Sequence, residues 1–344
     1  MRILTIRDIA LRAGVGVSTV SRVLNNRPDV HPATRQKVMD VVEACNFTQN
    51  SNAKNLKQRA TGVVSIIVRG RDNTFLYHLA EKMLQYGRSS SHPFLIDYIG
   101  EKDDELEAAR QLYAEKKVEG IIFLGANPIG REKELAQMKL PLVFATVDAS
   151  VLHVKAMSSV SVDNRRAAKS AVDYLFARGH RQIAVFGGKR EIPDSIGQRY
   201  LGVLDSFSAN GLPFDERLYV EAGFSMKSAY RAASVLIEKP IPFTAVFAMS
   251  DVMAIGIMKA LTDHGKHIPQ DVSVIGFDGI ELGHYYNPTL ATIRQPSDEI
   301  ARQSIDLILN SLEDDESARH ILLDTELQEG ASVRSVVDMP VEAC

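Results

Sequence analysis

From residue 62 onward the chain alternates short runs rich in β-branched residues with amphipathic stretches, and this alternation constrains the fold most strongly. The runs have the length and composition of strands, and they occupy residues 62–68, 94–99, 120–124, 142–145, 182–186, 244–248 and 272–277. Helical patterns separate them, for example at residues 103–116, 164–178, 225–236 and 252–264. Such regular alternation is typical of a parallel sheet with helices on both faces. Because the series is long for one sheet and restarts near residue 160, we predict two similar α/β lobes, which hold ligands at the carboxyl ends of their strands.

The N-terminal segment has a different pattern, which predicts three short helices. Apolar residues recur at helical spacing from Ile6, and Thr5 precedes them where its hydroxyl can cap the first turn. Gly14 then supplies the positive φ that a tight turn requires. A second helix is predicted at residues 17–24 and a third at residues 32–44. Helix, glycine turn and helix in this order indicate a helix-turn-helix DNA-binding domain.

Charge is distributed unevenly along the chain. Residues 1–60 contain ten Lys and Arg but only four Asp and Glu, whereas the rest of the chain contains 30 basic and 39 acidic residues. A basic segment on an acidic body suits a DNA-binding protein, because neutralisation of phosphates supplies much of the affinity for DNA. Residues 49–60 are polar, basic and poor in apolar side chains, so we predict a hinge linker there.

Composition excludes several classes of protein. Hydrophobic residues make up 45% of the chain and charged residues 24%, as in ordinary globular proteins. No run approaches the roughly 18 apolar residues of a membrane span, and the N-terminal segment is too charged for a signal peptide. We therefore expect a cytoplasmic protein without a membrane partner. The only cysteines, Cys45 and Cys344, form no metal-binding or redox spacing, so no metal, catalytic residue or cofactor is expected.

Taken in order, the motifs of the chain resemble the LacI/GalR family of bacterial transcriptional repressors over nearly the whole sequence. In the head and hinge the matching residues are 5–10, 13–15, 18–25, Thr34, Arg35, Val38, Phe47, Asn50 and 53–56. In the body they are 161–163, Gly179, His180, Ser250, Asp251, 254–256, 274–278 and 288–296. The resemblance implies an all-α helix-turn-helix head, a hinge, and an α/β core like that of periplasmic binding proteins, with two doubly wound parallel-sheet lobes.

The resemblance also implies where the domains begin and end. The head is expected at residues 1–48, the hinge helix or linker at 49–60 and the effector-binding and dimerisation core at 61–340. Within the core, lobe 1 is expected to combine residues 61–160 with 292–320, and lobe 2 to combine residues 161–291 with 321–340.

In the head, the resemblance implies that the second helix lies in the major groove with Val17, Ser18 and Arg22 facing base edges. Arg22 can bond two acceptors of one guanine, which is worth about 1–3 kcal/mol of discrimination. The implied phosphate contacts fix the orientation of the head without reading sequence, and they are Thr5, Thr19, Ser21, Asn25 and Thr34. Helix capping or plain surface exposure remains the alternative for each of these small polar residues.

In the hinge, Leu56 matches the family residue that inserts between base pairs in the minor groove and kinks the duplex. Asn50, Ala53 and Lys57 complete the implied DNA-binding set of the hinge. Two departures affect this interface. Gly16, at the start of the second helix, stands where serine is usual, so a helix cap and a phosphate contact are lost, and Gln49 replaces the usual proline. Both departures predict weaker or more conditional DNA binding.

For the body, the resemblance implies a sugar site, with the effector a small sugar or sugar phosphate. The residues carried over by position are Phe75, Ser195, Arg199, Phe224, Ser250, Asp278 and Gln295. Arg199 and Asp278 can each hold two neighbouring oxygens, although an ordinary salt bridge between them is the alternative. For the two phenylalanines the alternative is packing in the core.

The body also departs from the family pattern. Thr74 replaces a common proline, Thr146 a common aspartate, and Ser250 a common asparagine, so a generic hexose pocket is less certain. An unusual or phosphorylated effector is the corresponding expectation. Four basic side chains could meet a phosphate or lie on the solvated surface, and they are Arg69, Arg71, Lys189 and Arg190.

A homodimer that reads a near-palindromic double-stranded operator is expected, because a symmetric dimer presents two equivalent heads. No leucine heptad follows residue 320, which favours a dimer over a tetramer. Whether the effector induces or corepresses is open.

Three other functions are the alternatives to a DNA-binding repressor. An enzyme is disfavoured because the glycines near residue 14 follow a helix and lack the third glycine of a dinucleotide-binding loop. A transport-type sugar-binding protein would fit the body but not the basic head. The remaining alternative is a global catabolite-type regulator that is controlled by a phosphorylated partner protein.

Overall fold

The computed structural model describes residues 6–24, 30–45, 62–155, 157–313 and 318–336. The chain divides into two compact units, Met1–Thr61 and Gly62–Cys344. The predicted hinge at residues 49–60 lies outside the described residues. None of the described helices is both long and apolar enough to cross a membrane.

The described residues of the N-terminal unit form three helices at the positions predicted from the sequence. They are α1 (Ile6–Ala13), α2 (Val17–Leu24) and α3 (Pro32–Ala44). One apolar side chain or more from each helix enters a common core, and the fully or nearly fully buried members are Ile9, Ala10, Ala13, Val20, Val23 and Val38. Gly14 has a φ of 59° in the turn between α1 and α2, which confirms the conformation predicted for it.

The second unit contains two sheets of six strands each. The first sheet has the order β11-β5-β4-β3-β1-β2, and all its neighbouring strands are parallel. Its strands are β1 (Val64–Arg69), β2 (Phe94–Ile99), β3 (Gly120–Leu124), β4 (Leu142–Ala145), β5 (Met157–Val162) and β11 (His320–Leu323). Its helices are α4 (Thr74–Gly87), α5 (Glu105–Lys116), α6 (Glu132–Leu135) and α12 (Ser297–Glu313).

The second sheet repeats this order as β12-β10-β9-β8-β6-β7, but β12 is antiparallel to β10. Its strands are β6 (Ile183–Gly187), β7 (Tyr219–Glu221), β8 (Ala245–Ala248), β9 (Ser273–Asp278), β10 (Ala291–Arg294) and β12 (Glu326–Gln328). Its helices are α7 (Asn164–Ala177), α8 (Ser195–Ala209), α9 (Met226–Ile237), α10 (Asp251–Asp263) and α11 (Glu281–Tyr285), with a 3-10 turn at Glu216–Leu218.

Helices cover both faces of each sheet, as the alternating pattern predicted. In β1, Ile66 and Val68 pack towards α4 and α12, whereas Ile67 packs towards α5. In β6, Val185 joins the core that contains α7 and α8, whereas Phe186 joins the core under α9 and α10. Adjacent residues of a strand point to opposite faces, so strands buried on both faces read as continuous apolar runs.

The chain passes between the two sheets three times, and each passage comes slightly later than predicted. We define lobe 1 as residues 62–162 and 297–323, and lobe 2 as residues 163–294 and 326–336. The predictions that residues 292–294 belong to lobe 1, and that residues 161–162 and 321–323 belong to lobe 2, are wrong. The reason is that β10 pairs with β9 to its last residue, and β11 pairs with β5 to its last residue, before the chain changes sheets.

Candidate functional site

The N-terminal unit presents the beginning of α2 to solvent. Val17 is 46% exposed although it is apolar, and Arg22 is also exposed one turn later. Thr19 and Thr34 are half-buried. The other side of α2 carries the buried valines of the core, so Val17 and Arg22 lie on the face that remains accessible to a DNA groove.

Gly16 immediately precedes α2 and leaves its first turn without a side-chain cap. Its carbonyl accepts hydrogen bonds from the amides of Thr19 (2.9 Å) and Val20 (3.1 Å), as an N-cap carbonyl does. The helix cap that was predicted to be lost at Gly16 is therefore the cap at the first turn of α2. The predicted DNA contacts of Thr5, Asn25, Asn50, Ala53, Leu56 and Lys57 lie outside the described residues, as do the side chains of Ser18 and Ser21.

In the second unit, a cleft of about 1280 Å³ lies between the two lobes at the carboxyl ends of their strands. All seven residues predicted to bind the effector line this cleft, and they are Phe75, Ser195, Arg199, Phe224, Ser250, Asp278 and Gln295. The position agrees with the rule that ligands of open parallel sheets bind beyond the carboxyl edge. Effector binding by these residues remains a prediction.

Arg199, on the second turn of α8, is the buried cation of the cleft. Its Nε donates to Oδ1 of Asn164 (2.8 Å), and its Nη1 donates to the carbonyl of Met249. The guanidinium lies 3.6 Å from the centroid of the Phe277 ring. Burial lowers the pKa of Arg199 to about 10, against the opposing effect of nearby carboxylates. Because Nη2 has no protein partner among the described residues, one NH₂ group is left for a ligand.

Asp278, the last residue of β9, is a buried carboxyl group of the cleft. Its Oδ1 accepts a hydrogen bond from Nε2 of Gln295 (2.8 Å), and its carbonyl accepts from the amide of Gln295 (3.0 Å). Burial raises the pKa of Asp278, Arg199 opposes this effect, and Asp251 adds to it. The hydrogen-bond partners of these two described residues are Asn164 and Met249 for Arg199 and Gln295 for Asp278, and the two do not form the salt bridge that was the alternative.

The backbone at Asp278 has a φ of 126°, a conformation that few residues other than glycine adopt. Strain of this kind costs on the order of 1–3 kcal/mol and tends to cluster at binding and catalytic sites. The strained backbone and the buried carboxyl group thus coincide at one residue of the cleft.

Asp251 holds the loop that follows Asp278, and it was not among the predicted site residues. It begins α10, is fully buried, and accepts hydrogen bonds from the amides of Gly279 (2.7 Å) and Ile280 (2.8 Å) and from Oγ1 of Thr292 (2.6 Å). Burial raises its pKa, and these three donors lower it. Asp251 therefore fixes the loop that follows Asp278. The signal in the sequence was the match of Ser250 and Asp251 to the family pattern, which assigned no role to Asp251.

The two predicted serines have hydroxyls that are already engaged. Ser250 caps α10, because its Oγ accepts from the amide of Met253 (3.3 Å). Ser195 donates from Oγ to the carbonyl of Thr146 (2.7 Å), and this bond joins lobe 2 to lobe 1. Thr146 itself has a φ of 80°, which is rare for a β-branched residue. The predicted departure at Thr146 is thus a strained position that carries an inter-lobe contact.

The two predicted aromatic residues differ in burial. Phe75 lies in the first turn of α4 and is only 6% exposed, so most of its ring belongs to the core of lobe 1. Phe224 is half-buried, and its ring lies so close to Gly188 that a Cβ added there would be 3.2 Å from Cε2. Phe224 therefore offers more accessible ring surface to a ligand than Phe75.

Lobe 1 contributes charged residues to the cleft. Arg69 and Arg71 line it, and so do Glu105 and Arg131, which the sequence analysis missed. Lys189 of lobe 2 also lines the cleft. Arg190 does not: it donates to Tyr200 Oη (3.0 Å), forms an ion pair with Glu216 and lies over the rings of Tyr200 and Tyr219. Its proposed contact with a phosphate in this cleft is therefore wrong.

Six described helices begin at the cleft, and a side chain caps five of them, whereas α6, of only four residues, follows Arg131 without a side-chain cap. The cap residues accept hydrogen bonds from amides of the first turn, and they are Asn73, Asp104, Asp194, Ser225 and Ser250. Elsewhere, an uncapped helix start is a ready anion site. The described residues contain no group of three or more His, Cys, Asp or Glu placed to hold a metal ion.

Comparison with known proteins agrees with both units. Residues 5–50 match the sequence model of bacterial regulatory proteins of the lacI family, and residues 172–333 match that of a periplasmic binding protein-like domain. The transcriptional regulator MalR of Clostridium butyricum is 33% identical over 95% of this chain and 98% of its own length. Catabolite control protein A of Priestia megaterium is 31% identical over 88% of this chain and 91% of its own length.

Among solved structures, the Lac repressor dimer bound to operator and an anti-inducer has the same fold. It aligns with a TM-score of 0.76 at 23% identity, and covers 97% of this chain and 100% of that one. The relatives named above are transcriptional regulators, and the full-length match to MalR extends over head and body alike. The chain therefore belongs to the LacI family of bacterial regulatory proteins.

Proposed function

We propose that this protein is a sequence-specific repressor of carbohydrate-utilisation genes, and that a sugar bound between the lobes controls its affinity for operator DNA. The buried Arg199 in the cleft carries this proposal. Its guanidinium is fixed by Asn164 and Met249, yet Nη2 has no protein partner among the described residues. A buried, oriented donor of this kind is costly to leave unused and suits the hydroxyl oxygens of a sugar.

The lining of the cleft favours a neutral sugar over a sugar phosphate. Its eight Asp and Glu outnumber its six Arg and Lys, so an added dianion meets a net acidic lining. Five of the six helix starts at the cleft are already capped, and the sixth belongs to α6, which has only four residues, so the cleft offers few free amides to a phosphate. A neutral polyol can instead both donate to carboxylates and accept from Arg199.

Control of DNA binding follows from a shift between two arrangements of the lobes. A sugar can shift this equilibrium only through a different affinity for the two arrangements. Because the lining residues come from both lobes, a change in the angle between lobes changes the contacts available to the sugar. The hydrogen bond from Ser195 to the carbonyl of Thr146 joins the two lobes, so a change in the angle between the lobes acts on it directly.

A homodimer belongs to this proposal. Each lobe exposes large apolar side chains that a second copy could cover: Tyr77, Tyr86 and Leu95 on lobe 1, and Leu282 and Tyr285 on lobe 2. Two heads related by a two-fold axis would read a near-palindromic operator.

Control by a phosphorylated partner protein is the second candidate. It is favoured by the 31% identity to a protein named catabolite control protein A. The two candidates differ in what changes operator affinity, which is a sugar in one case and a phosphorylated protein in the other.

The test is selection of bound sequences from a random DNA library by the full-length protein at fixed salt, with and without a pooled sugar panel. We expect a near-palindrome to be enriched, and its recovery to change with the pool. Enrichment that ignores sugars but responds to a phosphorylated partner would select the second candidate. If no sequence is enriched under any condition, the DNA-binding proposal is overturned.

A further inference from the structure

The two edges of the sheet in lobe 1 carry opposite charge. All neighbouring strands of this sheet are parallel, so the strands begin at one edge, the amino edge, and end at the other. Five Lys and Arg but only two Glu lie in the segments directly before β2 to β5, which are residues 88–93, 114–119, 136–141 and 151–155. Two Lys and Arg but six Asp and Glu lie in the segments directly after β1 to β4, which are residues 70–75, 100–105, 125–130 and 146–150. The amino edge is therefore basic, and the carboxyl edge is acidic.

The basic side chains of the amino edge lie on the surface of the protein. All five are exposed, and they are Arg88, Lys116, Lys117, Lys139 and Lys155. Lys116 pairs with Asp97 of β2 (3.0 Å), whereas Arg88 and Lys139 form no ion pair with another described residue. An acidic run at residues 313–316 precedes β11, which is the strand farthest from β2 in the sheet. The basic surface is therefore centred on the strands from β2 to β4.

The chain enters lobe 1 at this same edge. Gly62 is the first residue of the second unit and precedes β1, which lies between β2 and β3. Its carbonyl accepts a hydrogen bond from Nδ1 of His92 (3.0 Å), and a Cβ added to it would be 3.8 Å from Oε2 of Glu119. His92 and Glu119 belong to the segments that carry Arg88 and Lys117. The basic surface is thus tethered through Gly62 to the DNA-binding unit, and a tether raises the effective concentration of a duplex that this unit holds.

Lobe 2 shows that a basic amino edge is not a general consequence of this topology. Four Lys and Arg and three Asp and Glu lie in the segments directly before β6 to β10, which are residues 177–182, 213–218, 239–244, 267–272 and 285–290. Helices end at the amino edge in both lobes, and a helix dipole favours a cation at its carboxyl end. Because this effect acts on both lobes alike, it does not account for the excess of basic residues in lobe 1.

We propose that the amino edge of lobe 1 is a second DNA-binding surface, which contacts backbone phosphates of the duplex that the N-terminal unit reads. The main contacts come from Arg88, Lys117 and Lys139. Exposed lysine and arginine side chains meet phosphates without reading base edges, so this surface adds affinity and salt dependence but no sequence preference. The acidic carboxyl edge repels a duplex, so only one edge of the sheet suits this partner. The inference goes beyond control by a sugar and holds whether or not a sugar binds.

The test is the salt dependence of DNA binding by the full-length protein. The probes are a duplex that carries the palindrome enriched from the random library and a duplex of scrambled sequence. The variant combines Arg88→Gln, Lys117→Gln and Lys139→Gln. A dimer carries six of these side chains, and each phosphate contact contributes up to about 0.9 to the slope of log affinity against log salt, so we expect the slope to fall by about 2–5. Affinity for both duplexes should fall together, because phosphate contacts carry no sequence information.

The matched control makes the same change of net charge on lobe 2. It replaces three exposed basic residues by glutamine, and they are Arg217, Lys239 and Lys266. The slope should stay within about 0.9 of the wild-type value, because charges farther from DNA than a Debye length are screened. A second variant of the amino edge keeps its charge by combining Arg88→Lys, Lys117→Arg and Lys139→Arg, and it should keep the wild-type slope.

Equal slopes in the two glutamine variants would overturn the inference and leave DNA binding by the N-terminal unit intact. A loss of stability in urea without a change in slope would also overturn it. That result would assign the side chains to the ends of helices, since Arg88 follows α4 and Lys117 follows α5. Failure of the wild-type protein to bind either duplex would overturn the proposed function, and the inference with it.

Discussion

The two lobes have the same strand order but build their walls of the cleft in different ways. In lobe 2 the central charged groups, Arg199, Asp251 and Asp278, are buried, and backbone groups help to hold them, as the amides of Gly279 and Ile280 hold Asp251. In lobe 1 most charged groups of the wall are more exposed, and side chains hold one another, as Asp104 and Glu134 hold Arg131. Interactions in a buried wall are strong, whereas exposed ion pairs contribute about 0–1 kcal/mol each. The two lobes thus share one topology, but the wall of lobe 2 is held rigidly and the wall of lobe 1 can rearrange more easily.

The pKa values show the same difference. Burial is the largest influence on the carboxyls of Asp251 and Asp278 in lobe 2 and raises both pKa values. In lobe 1, hydrogen bonds from Arg131 and Arg110 lower the pKa of Glu134 to about 2. Burial thus has the largest influence on the pKa values of Asp251 and Asp278 in lobe 2, whereas pairing with arginines has the largest influence on the pKa of Glu134 in lobe 1. Substitutions in lobe 2 should therefore have the larger effects on stability and on effector response.

Replacement of Arg199 by alanine should have the largest effect. It leaves Asn164 and the carbonyl of Met249 without their donor, and it removes the cation that compensates the buried carboxyls. We expect a loss of about 2–5 kcal/mol in the free energy of unfolding, because two buried acceptors lose their donor at about 1–3 kcal/mol each, and loss of the effector response. Urea denaturation and operator-binding titrations measure the two. Arg302→Ala, on the exposed face of α12, should change stability by no more than about 0.5 kcal/mol. Equal losses of stability in the two variants would contradict the difference between the two walls of the cleft.

Asp278→Asn should stabilise the protein and abolish its response to effector. The folded chain binds the proton of Asp278 more tightly than the unfolded chain does, so this group favours folding below the unfolded pKa of about 4. Stability is then lost as pH rises from there through the raised pKa. Asparagine does not ionise, so this loss of stability with rising pH disappears. Its side-chain oxygen can still accept from Gln295, and asparagine is among the residues most often found at positive φ. We expect about 1–2 kcal/mol of added stability at pH 8 and less at pH 5, measured by urea denaturation.

A wild-type stability that rises between pH 5 and pH 8 more than that of Asp278→Asn would contradict this assignment. Glu115→Gln, which removes an exposed carboxylate of α5, is the matched control for a change of charge and should leave the pH dependence of stability as in the wild type.

Ser195→Ala should have an intermediate effect, because it removes one hydrogen bond between the lobes. A neutral bond contributes about 0.5–1.5 kcal/mol, so we expect that loss of stability and a change in effector affinity of no more than about tenfold. Ser170→Ala removes a bond of the same kind within α7, from Ser170 to the carbonyl of Arg166, and should leave effector affinity unchanged. Equal effector affinities in the two variants would show that the inter-lobe bond has no part in control.

The comparison of the lobes also explains how much could be predicted from sequence. Strands such as β3 and β4 are apolar on both faces and were identified at their observed bounds. The pattern did not identify β5, because three of its six buried residues are serine. Partners far away in the chain make this burial possible: Ser159 bonds Nδ1 of His320, and Ser158 accepts from the amide of Arg319.

The same reasoning applies to the cleft. Arg199 and Asp278 were predicted because resemblance carries residues over by position. The roles of Asp251 and Glu105 were not, because their partners come from separate segments, such as Thr292 for Asp251 and Asn127 for Glu105. Pairing across the fold is not a property of any local pattern.

The smallest effect is expected in the head, at Gly16. Serine at this N-cap position should stabilise the head by only a few tenths of a kcal/mol, because glycine is itself tolerated there. Its effect on DNA binding should be easier to measure, since a serine hydroxyl and the better-ordered amides of α2 can meet one more phosphate. Each such contact steepens the dependence of log affinity on log salt by about 0.9, so a dimer with two heads should gain about twice that. Binding titrations at several salt concentrations test this for Gly16→Ser, with Gly211→Ser, in an open surface turn of lobe 2, as the control. An unchanged salt dependence would mean that α2 already makes its full set of phosphate contacts without a capping side chain.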